Sequence, residues 1–523
     1  MGFTAPSGWN IWKMRFEKQS EGESDMKYYS TRDAAVRMDA AEAIKMGLSR
    51  DGGLLTPCEI PQIDRAFLES LVNVRYQERA AKVMGLYLTD YTYEELSGFA
   101  ENAYGPEKFD CDAVAPVRTV DETTHCLELW HGPTSAFKDM ALQMLPQLLS
   151  AALRKTGESK TVCILVATSG DTGKAAMEGF ADVPQTKILV FYPKDGVSKV
   201  QETQMVTQDG ANVGVCAVEG NFDDAQAGVK RIFSDEAIRA TLADRGYFLS
   251  SANSINWGRL VPQIVYYFSA YCDLLAAGKL KMGDKFNVVV PTGNFGNILA
   301  AYYAKEMGLP VAKLICASNR NRVLTDFLAT GTYDRNRPFY PTTSPSMDIL
   351  ISSNLERLLY HLSGRDDAII RTLMQDLGSK GSYTVPSGVK ERLAAQFDAG
   401  WCDDAGTAAA IADTYRSTGY LCDTHTAVGV KVYTDYRART GDTTPTVIAS
   451  TANPYKFSSS VLDALGKDTA ALDEFDKVEA LHTLTGCAVP PPLADLRGKT
   501  PRFHEVCNRE EMSAIVFRML GIR

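Results

Sequence analysis

Three short runs of uninterrupted apolar residues, each closed by a turn and followed by a helix, constrain this chain more than any other feature. The first is Thr161-Val162-Cys163-Ile164-Leu165-Val166-Ala167, which runs into Thr168-Ser169-Gly170-Asp171-Thr172-Gly173. The second, Lys187-Ile188-Leu189-Val190-Phe191-Tyr192, stops at Pro193 and precedes a helix around 197–207. The third spans 212–218, with a helix over 222–233. Strands this apolar are buried on both faces. Strand and helix alternating at this spacing imply a parallel sheet with right-handed crossovers. Residues 161–245 are therefore expected to form a small open α/β subdomain.

A second series of the same kind lies further on. Asn256-Trp257-Gly258-Arg259-Leu260 opens a long helix, and Phe286-Asn287-Val288-Val289-Val290 reads as a strand that turns at Pro291-Thr292-Gly293-Asn294-Phe295-Gly296-Asn297. Leu314-Ile315-Cys316-Ala317 is another strand. The sheet is expected to resume at Gly419-Tyr420-Leu421 and again at Pro445–Ala449, which runs into Ser450-Thr451-Ala452-Asn453-Pro454. Residues 125–129 supply one more strand. Between these, about 320–415 reads as a helical insertion.

The remaining regions carry less information. Residues 1–25 have no regular apolar period and read as an extension, a candidate for disorder. Met26–Arg32 is strand-like, 33–48 reads as a helix, and Pro61 to about Pro106 is helical in pattern. This defines an N-terminal helical domain over 26–122. A large α/β domain is then made of 123–160 and 246–523.

Composition narrows the chemistry. At 523 residues the chain has room for about three domains and carries a net charge of -9. That balance argues against nucleic acid or an anionic membrane as partner, so any phosphate must be met by local features. Eleven cysteines form no CxxC pair and six histidines no HExxH cluster, which suits a reducing compartment and gives no expected metal site. No apolar run reaches the ~20 residues of a membrane span, and 1–18 lacks the apolar core of a secretory signal. The cytoplasm is the expected location.

One lysine stands out. In His131-Gly132-Pro133-Thr134-Ser135-Ala136-Phe137-Lys138-Asp139 a turn punctuated by Gly-Pro runs into a helix that Thr134 or Ser135 can cap. Lys138 falls in the first turn, where the helix dipole disfavours an ammonium. An amine so placed, beside Phe137, can form a Schiff base; a lone surface lysine in a capped helix is the plain alternative. Gly293, Asn294, Phe295, Gly296 and Asn297 have the two glycines and the successive N–H groups of an anion nest. Walker and GxGxxG spacings are missing, so a small phosphate monoester fits better than a nucleotide. Taken alone, the stretch is equally a tight loop.

Several motifs in order then resemble one family. HGPTSAFKD, TSGDTG, NSINWGRL, PTGNFGN, SPSMDIL with SSNLERLL, and TANPYKF resemble the threonine synthases of the long bacterial and fungal type; YYSTR, DGGLLTP and CDTHTAVGV agree. The resemblance implies a fold-type-II pyridoxal-phosphate enzyme with two open twisted α/β domains and an N-terminal helical region. It implies that pyridoxal 5'-phosphate is carried on Lys138 beside Phe137, with 293–297 holding its phosphate and the Thr451 hydroxyl facing the pyridine nitrogen. Asp171 stands where many relatives carry Asn near the ring's 3-hydroxyl. Thr168, Ser169 and Thr172 fall to the substrate carboxylate, and Asn253, Ser254, Asn256 and Arg259 to the substrate phosphate, although Arg259 can equally pair with an acidic neighbour. The implied reaction converts O-phospho-L-homoserine and water into L-threonine and phosphate. A phospho-lyase that stops at 2-oxobutyrate, or another lyase of the same family, are the alternatives. A monomer or homodimer is expected.

Overall fold

The structure, a computed structural model, describes residues 26–522; the expected extension over 1–25 lies outside them. Two sheets organise the chain. The larger has six strands in the order Phe397–Trp401, Val311–Ser318, Phe286–Pro291, Thr446–Ser450, Thr124–Glu128 and Val117–Thr119. The first five are parallel and the last is antiparallel. In its centre Val289 lies level with Ile315 on one side and Ile448 on the other. Val288–Val290 are fully buried, as a two-faced strand must be.

The smaller sheet is wholly parallel, in the order Glu505–Cys507, Val213–Val218, Thr186–Pro193, Thr161–Ala167 and Tyr247–Ser250. It reaches beyond the 161–245 unit that the sequence pattern suggests. Tyr247–Ser250 covers one open edge, and Glu505–Cys507 covers the other. The helix Met512–Met519 then contributes Met512, Ile515 and Val516 to the core cluster that holds Cys163, Leu165 and Leu189. A sheet edge left bare exposes unpaired N–H and C=O groups, and the far C-terminus satisfies one of them.

Other expectations change with pairing. The alanine-rich stretch expected as a helix from 33 to 48 begins as the strand Asp33–Met38, paired with Tyr28–Ser30, and only Ala40–Met46 is helical. The insertion at 320–415 is not purely helical. It contains the two-stranded pair Thr332–Asp334 and Ser382–Thr384, and then Phe397–Trp401, the edge strand of the large sheet. Residues 419–421 form no strand but link the helices Asp404–Thr418 and Thr424–Thr440.

The N-terminal region also fails to stand apart. One continuous core runs from Met26 to Ala449. At its heart Trp257 is enclosed by Tyr28, Tyr87 and Tyr303, with ring centroids 5.4–5.5 Å from its own. Trp257 opens the helix Trp257–Ala276, buried along most of its length and capped by Asn256, whose side chain accepts from Gly258 N. This helix ties the N-terminal region to the sheets and holds Arg259 at its first turn. No helix among the described residues is long and apolar enough to cross a membrane.

Candidate active site

The turns that follow the strands of both sheets meet around Lys138. The lysine turn is braced from within: Asp139 is fully buried, and its carboxylate accepts from the backbone N (2.8 Å) and hydroxyl (2.7 Å) of Thr134. Burial pushes Asp139 up to about 6 despite those bonds. The turn is also stitched to the end of the central strand, with Phe137 N donating to Thr451 O and Asn453 N to Ser135 O. Neither Thr134 nor Ser135 caps the helix; Thr134 serves Asp139, and the buried Ser135 hydroxyl has no partner among the described residues.

Lys138 is buried, with Nζ 5.1 Å from the Phe137 ring centre, 3.3 Å from Ser346 Oγ and 3.7 Å from Asp171 Oδ2. Its amine is shifted below the usual lysine range. Burial is the main cause, Asp171 opposes it, and the charges of Lys456 and Arg259 add to it. Desolvation is therefore the first cause of the depression, ahead of the neighbouring charges.

Across from the lysine, the strand Phe286–Pro291 ends in the glycine turn. Phe295 takes a left-handed conformation (φ 65°) at the start of the helix Gly296–Met307, and no side chain caps that helix. The carbonyls of this turn face the segment 352–354. Ser352 Oγ donates to Gly293 O (2.7 Å), and Asn354 donates to Asn294 O through both its backbone N and its side chain. The N–H groups of Gly296, Asn297 and Ile298 are left without an acceptor among the described residues. Asn297 extends this donor set. Its Oδ1 accepts from the hydroxyls of Tyr266 (2.6 Å) and Tyr267 (2.5 Å), which turns its buried, unpartnered Nδ2 away from them. Successive free donors at a helix start form an anion site. A methyl on Gly293 would lie 2.6 Å from Ser346 O, so the cradle admits only glycine there.

Arg259 is buried, donates to Ala252 O (2.5 Å), and leaves Nε without a partner. It has no carboxylate partner among the described residues, so the pairing with an acidic neighbour is not found. Burial pushes it down to about 10. An unpaired buried guanidinium is costly unless an anion joins it. Ser254 lies beside the glycine turn and accepts from Asn354 Nδ2 (3.1 Å). Asn253 uses its side-chain oxygen on Ile255 N. Asn256 is committed elsewhere, to its cap and, through Nδ2, to Ile44 O.

In the small sheet's turn, Thr168 Oγ1 accepts from Gly170 N (3.0 Å) and Gly173 N (2.9 Å). Ser169 and Thr172 remain half-buried. Asp171 is buried, and Oδ1 accepts from Lys456 Nζ (2.9 Å) and Gln201 Nε2 (3.0 Å). Burial alone would raise its pKa, but the charges of Lys456 and Lys138 and the hydrogen bonds outweigh it and hold the acid well below the usual carboxylate range. The Thr451 hydroxyl makes no hydrogen bond within the described chain, while its neighbour Ser450 accepts from Trp130 Nε1 and Tyr420 OH.

The geometry adds residues that the sequence reading placed in motifs without a role. Ser346, from SPSMDIL, touches both Lys138 and the glycine cradle. Its backbone N donates to His425 Nε2 (3.2 Å), and His425 Nδ1 pairs with buried Asp423 (2.8 Å). Asn354, from SSNLERLL, turns the glycine loop. Arg357 holds Asn354 Oδ1 (2.6 Å) and the carbonyls of Leu55 and Ile255. Lys456, from TANPYKF, is a second buried lysine beside the first. The only sequence signal for these residues is that they stand inside the motifs. A separate cavity of about 560 Å³, near Lys187, Asn212 and Arg502, includes none of them.

Comparison with known proteins gives the family. Family models match in three consecutive pieces: "Threonine synthase N terminus" over 27–104, "Pyridoxal-phosphate dependent enzyme" over 125–452, and "Threonine synthase, C-terminal" over 426–516. The chain belongs to the threonine synthase family. It is 41% identical to threonine synthase of Pseudomonas aeruginosa over 437 residues, which is 83% of this chain and 90% of that protein. It is 43% identical to human threonine synthase-like 1 over 436 residues, or 81% of this chain, and spans only 58% of that relative's length. Among solved structures, the threonine synthase of yeast superposes with a TM-score of 0.85 at 34% identity, covering 96% of this chain and all of that one. The pyridoxal-phosphate-bound threonine synthase of Brucella melitensis gives 0.83 at 38% identity, covering 94% and 99%. The fold is accordingly that of a fold-type-II pyridoxal-phosphate enzyme.

Proposed function

We propose that the chain is a threonine synthase that holds pyridoxal 5'-phosphate on Lys138 and converts O-phospho-L-homoserine and water into L-threonine and phosphate. One observation carries this reading: Ser346 links a depressed, buried lysine to a cradle of unbonded N–H donors, with an unpaired buried arginine among the charges that act on that lysine. The residues present fit the cofactor, because the free N–H groups of 296–298 and Asn297 Nδ2 ask for an anion the size of its phosphate.

When bound, the cofactor supplies a conjugated ring that stabilises negative charge on the carbons next to the substrate nitrogen. The chain's own residues do the rest. Residues 293–297 would hold the phosphate tail, the Thr451 hydroxyl would be the partner for the ring nitrogen, and Phe137 flanks the lysine. Ser169 and Thr172 take the substrate carboxylate, since the Thr168 hydroxyl is already occupied by its own turn. Arg259, with Ser254 and Asn253, takes the substrate phosphate; a guanidinium is suited to two-point binding of phosphate oxygens. Lys138, as a free amine, takes protons from substrate Cα and Cβ and returns protons at Cγ and Cα. Phosphate leaves from Cγ, Cγ gains a proton to become the methyl group, and water adds at Cβ. The 161–250 strands and their helices carry Asp171 and the carboxylate turn, so their closure over the substrate would exclude water until its step. A reducing, cytoplasmic setting suits eleven free cysteines.

The decisive experiment is a product assay. With O-phospho-L-homoserine, the wild-type chain is expected to yield threonine and phosphate, and Lys138→Ala to lose about three orders of magnitude or more of the rate. Release of 2-oxobutyrate and ammonia without threonine would assign the chain to a phospho-lyase instead.

A further inference from the structure

Two buried lysines share one carboxylate in this site, and their surroundings are unequal. Lys456 has no exposed side-chain surface, and its Nζ meets Asp171 Oδ1 (2.9 Å), Thr134 O (2.8 Å) and Gln204 Oε1 (3.3 Å). Three acceptors match the three N–H bonds of an ammonium. Lys138 has only Ser346 Oγ at 3.3 Å and the far oxygen of Asp171 at 3.7 Å.

The other charges near Lys138 are few. Arg259, on the helix Trp257–Ala276, adds positive charge, and Asp139, on the lysine's own turn, already serves Thr134. Two ammoniums and a guanidinium gathered around one shared carboxylate make a full positive charge at Lys138 unfavourable. Of the two amines, Lys138 has the poorer partners.

We propose that Lys456 is a positioning residue for charge: its ammonium claims Asp171 and thereby leaves Lys138 the neutral nucleophile of the pair. The helix start and burial depress Lys138 on their own, but an unclaimed Asp171 would turn to Lys138 and restore its proton. Lys456 also carries a positive charge into the site independently of any ligand. The consequence reaches catalysis at two points, the first capture of cofactor and the return of Lys138 to it after each turnover. This inference rests on the reading of Lys138 as the cofactor-bearing lysine.

The test uses the full chain freed of cofactor. Lys138 is titrated by competitive acylation with acetic anhydride and peptide mapping, in which the free amine gains an acetyl group, acetate leaves and the amine proton goes to solvent. In parallel, capture of added pyridoxal 5'-phosphate is followed by absorbance, the amine condensing with the aldehyde and one water leaving. In Lys456→Met the acylation midpoint of Lys138 is expected to rise by about one pH unit or more, and capture at neutral pH to slow about tenfold. Lys456→Arg keeps the charge and the midpoint. Should Lys456→Met fold too poorly to titrate, Asp171→Asn asks the same question with the opposite sign, since the acid is gone and the ammonium stays; the midpoint then falls below that of the wild type. A midpoint unmoved in the variants that fold, with only the melting temperature lowered, overturns the proposal. If the midpoints move as stated but wild-type Lys138 captures no cofactor, the functional reading fails and this one stands.

Discussion

Two turns occupy equivalent places in the two sheets, each linking a buried parallel strand to a helix whose own N-cap residue gives no side-chain bond, yet they treat their backbone donors in opposite ways. After Thr161–Ala167, Thr168 folds its hydroxyl back and accepts from Gly170 N and Gly173 N. Gly170, at φ 127°, makes that turn possible, and a side chain there would meet Gln201. After Phe286–Pro291, the corresponding Thr292 hydroxyl turns back on the strand and donates to Val290 O (2.6 Å), so it accepts nothing from the turn. The carbonyls are tied outward to 352–354 and the N–H groups of 296–298 stay open. Both turns look alike as text, glycines and small polar residues at a strand end. The first closes on itself and presents Asp171; the second leaves its donors open. A strand-turn-helix position in an open α/β sheet thus keeps donors open to a ligand only when the chain withholds its own acceptors.

The sharpest way to break this contrast is to fill the open turn. Gly293→Ala places a methyl 2.6 Å from Ser346 O and 3.3 Å from Met347 Cα, both backbone atoms that cannot swing aside. Pyridoxal 5'-phosphate retention on dialysis is expected to fall about 100-fold or more, since a small misplacement at such a site carries that cost; normal retention would show that the cradle is not the phosphate site. Arg259→Met comes next. Losing a charge-assisted contact should raise KM for O-phospho-L-homoserine about 10- to 100-fold. The melting temperature should hold or rise, because an unpaired buried charge has gone. A fall in stability with KM unchanged would make Arg259 a structural residue.

The same contrast explains what could be read from sequence. Lys138 drew notice through its Gly-Pro turn into a helix, and the positions of the 293–297 turn and of Thr451 were legible because each directly follows an apolar strand. Ser346, Asn354 and Lys456 were not, because they reach the site through tertiary packing; Ser346 lies 208 residues from the lysine it touches. No local pattern encodes such a contact. The strand Phe397–Trp401 escaped for another reason: it is an edge strand, half-exposed, with Asp and Gly inside it. Asp33–Met38 reads as helix from its alanines, and pairing with Tyr28–Ser30 overrides that preference. Asn256 illustrates the converse case, a polar residue beside the site whose amide is committed to its helix cap and to the Ile44 carbonyl.

Thr168→Val tests the closed turn. Two backbone donors lose their acceptor, so unfolding in denaturant should show a loss of about 1–3 kcal/mol, with little change in cofactor retention. A large loss of retention with stability intact would mean that Thr168 faces the ligand after all.

A third turn, after Thr124–Glu128, lies between the two extremes: its polar groups are satisfied, but by partners that titrate. His131 Nδ1 meets Asp110 Oδ1 at 2.7 Å and Nε2 meets Glu128 Oε2 at 3.0 Å. Burial lowers the imidazole's pKa, but these two carboxylates outweigh it and raise it to about 9. A folded value above the unfolded one means that the protonated ring binds better in the native state. Its contribution is complete below about 6.5 and is lost as pH rises through about 9. His131→Gln should therefore be less stable than wild type by about 1–2 kcal/mol at pH 6, after solvent screening of the exposed partner. The gap should shrink through pH 7–9 toward the pH-independent loss of stacking on Trp130, whose ring centre lies 4.2 Å away. A deficit that stays constant over that range would show that the ring is held neutral, and that the lysine turn is anchored by packing instead of charge.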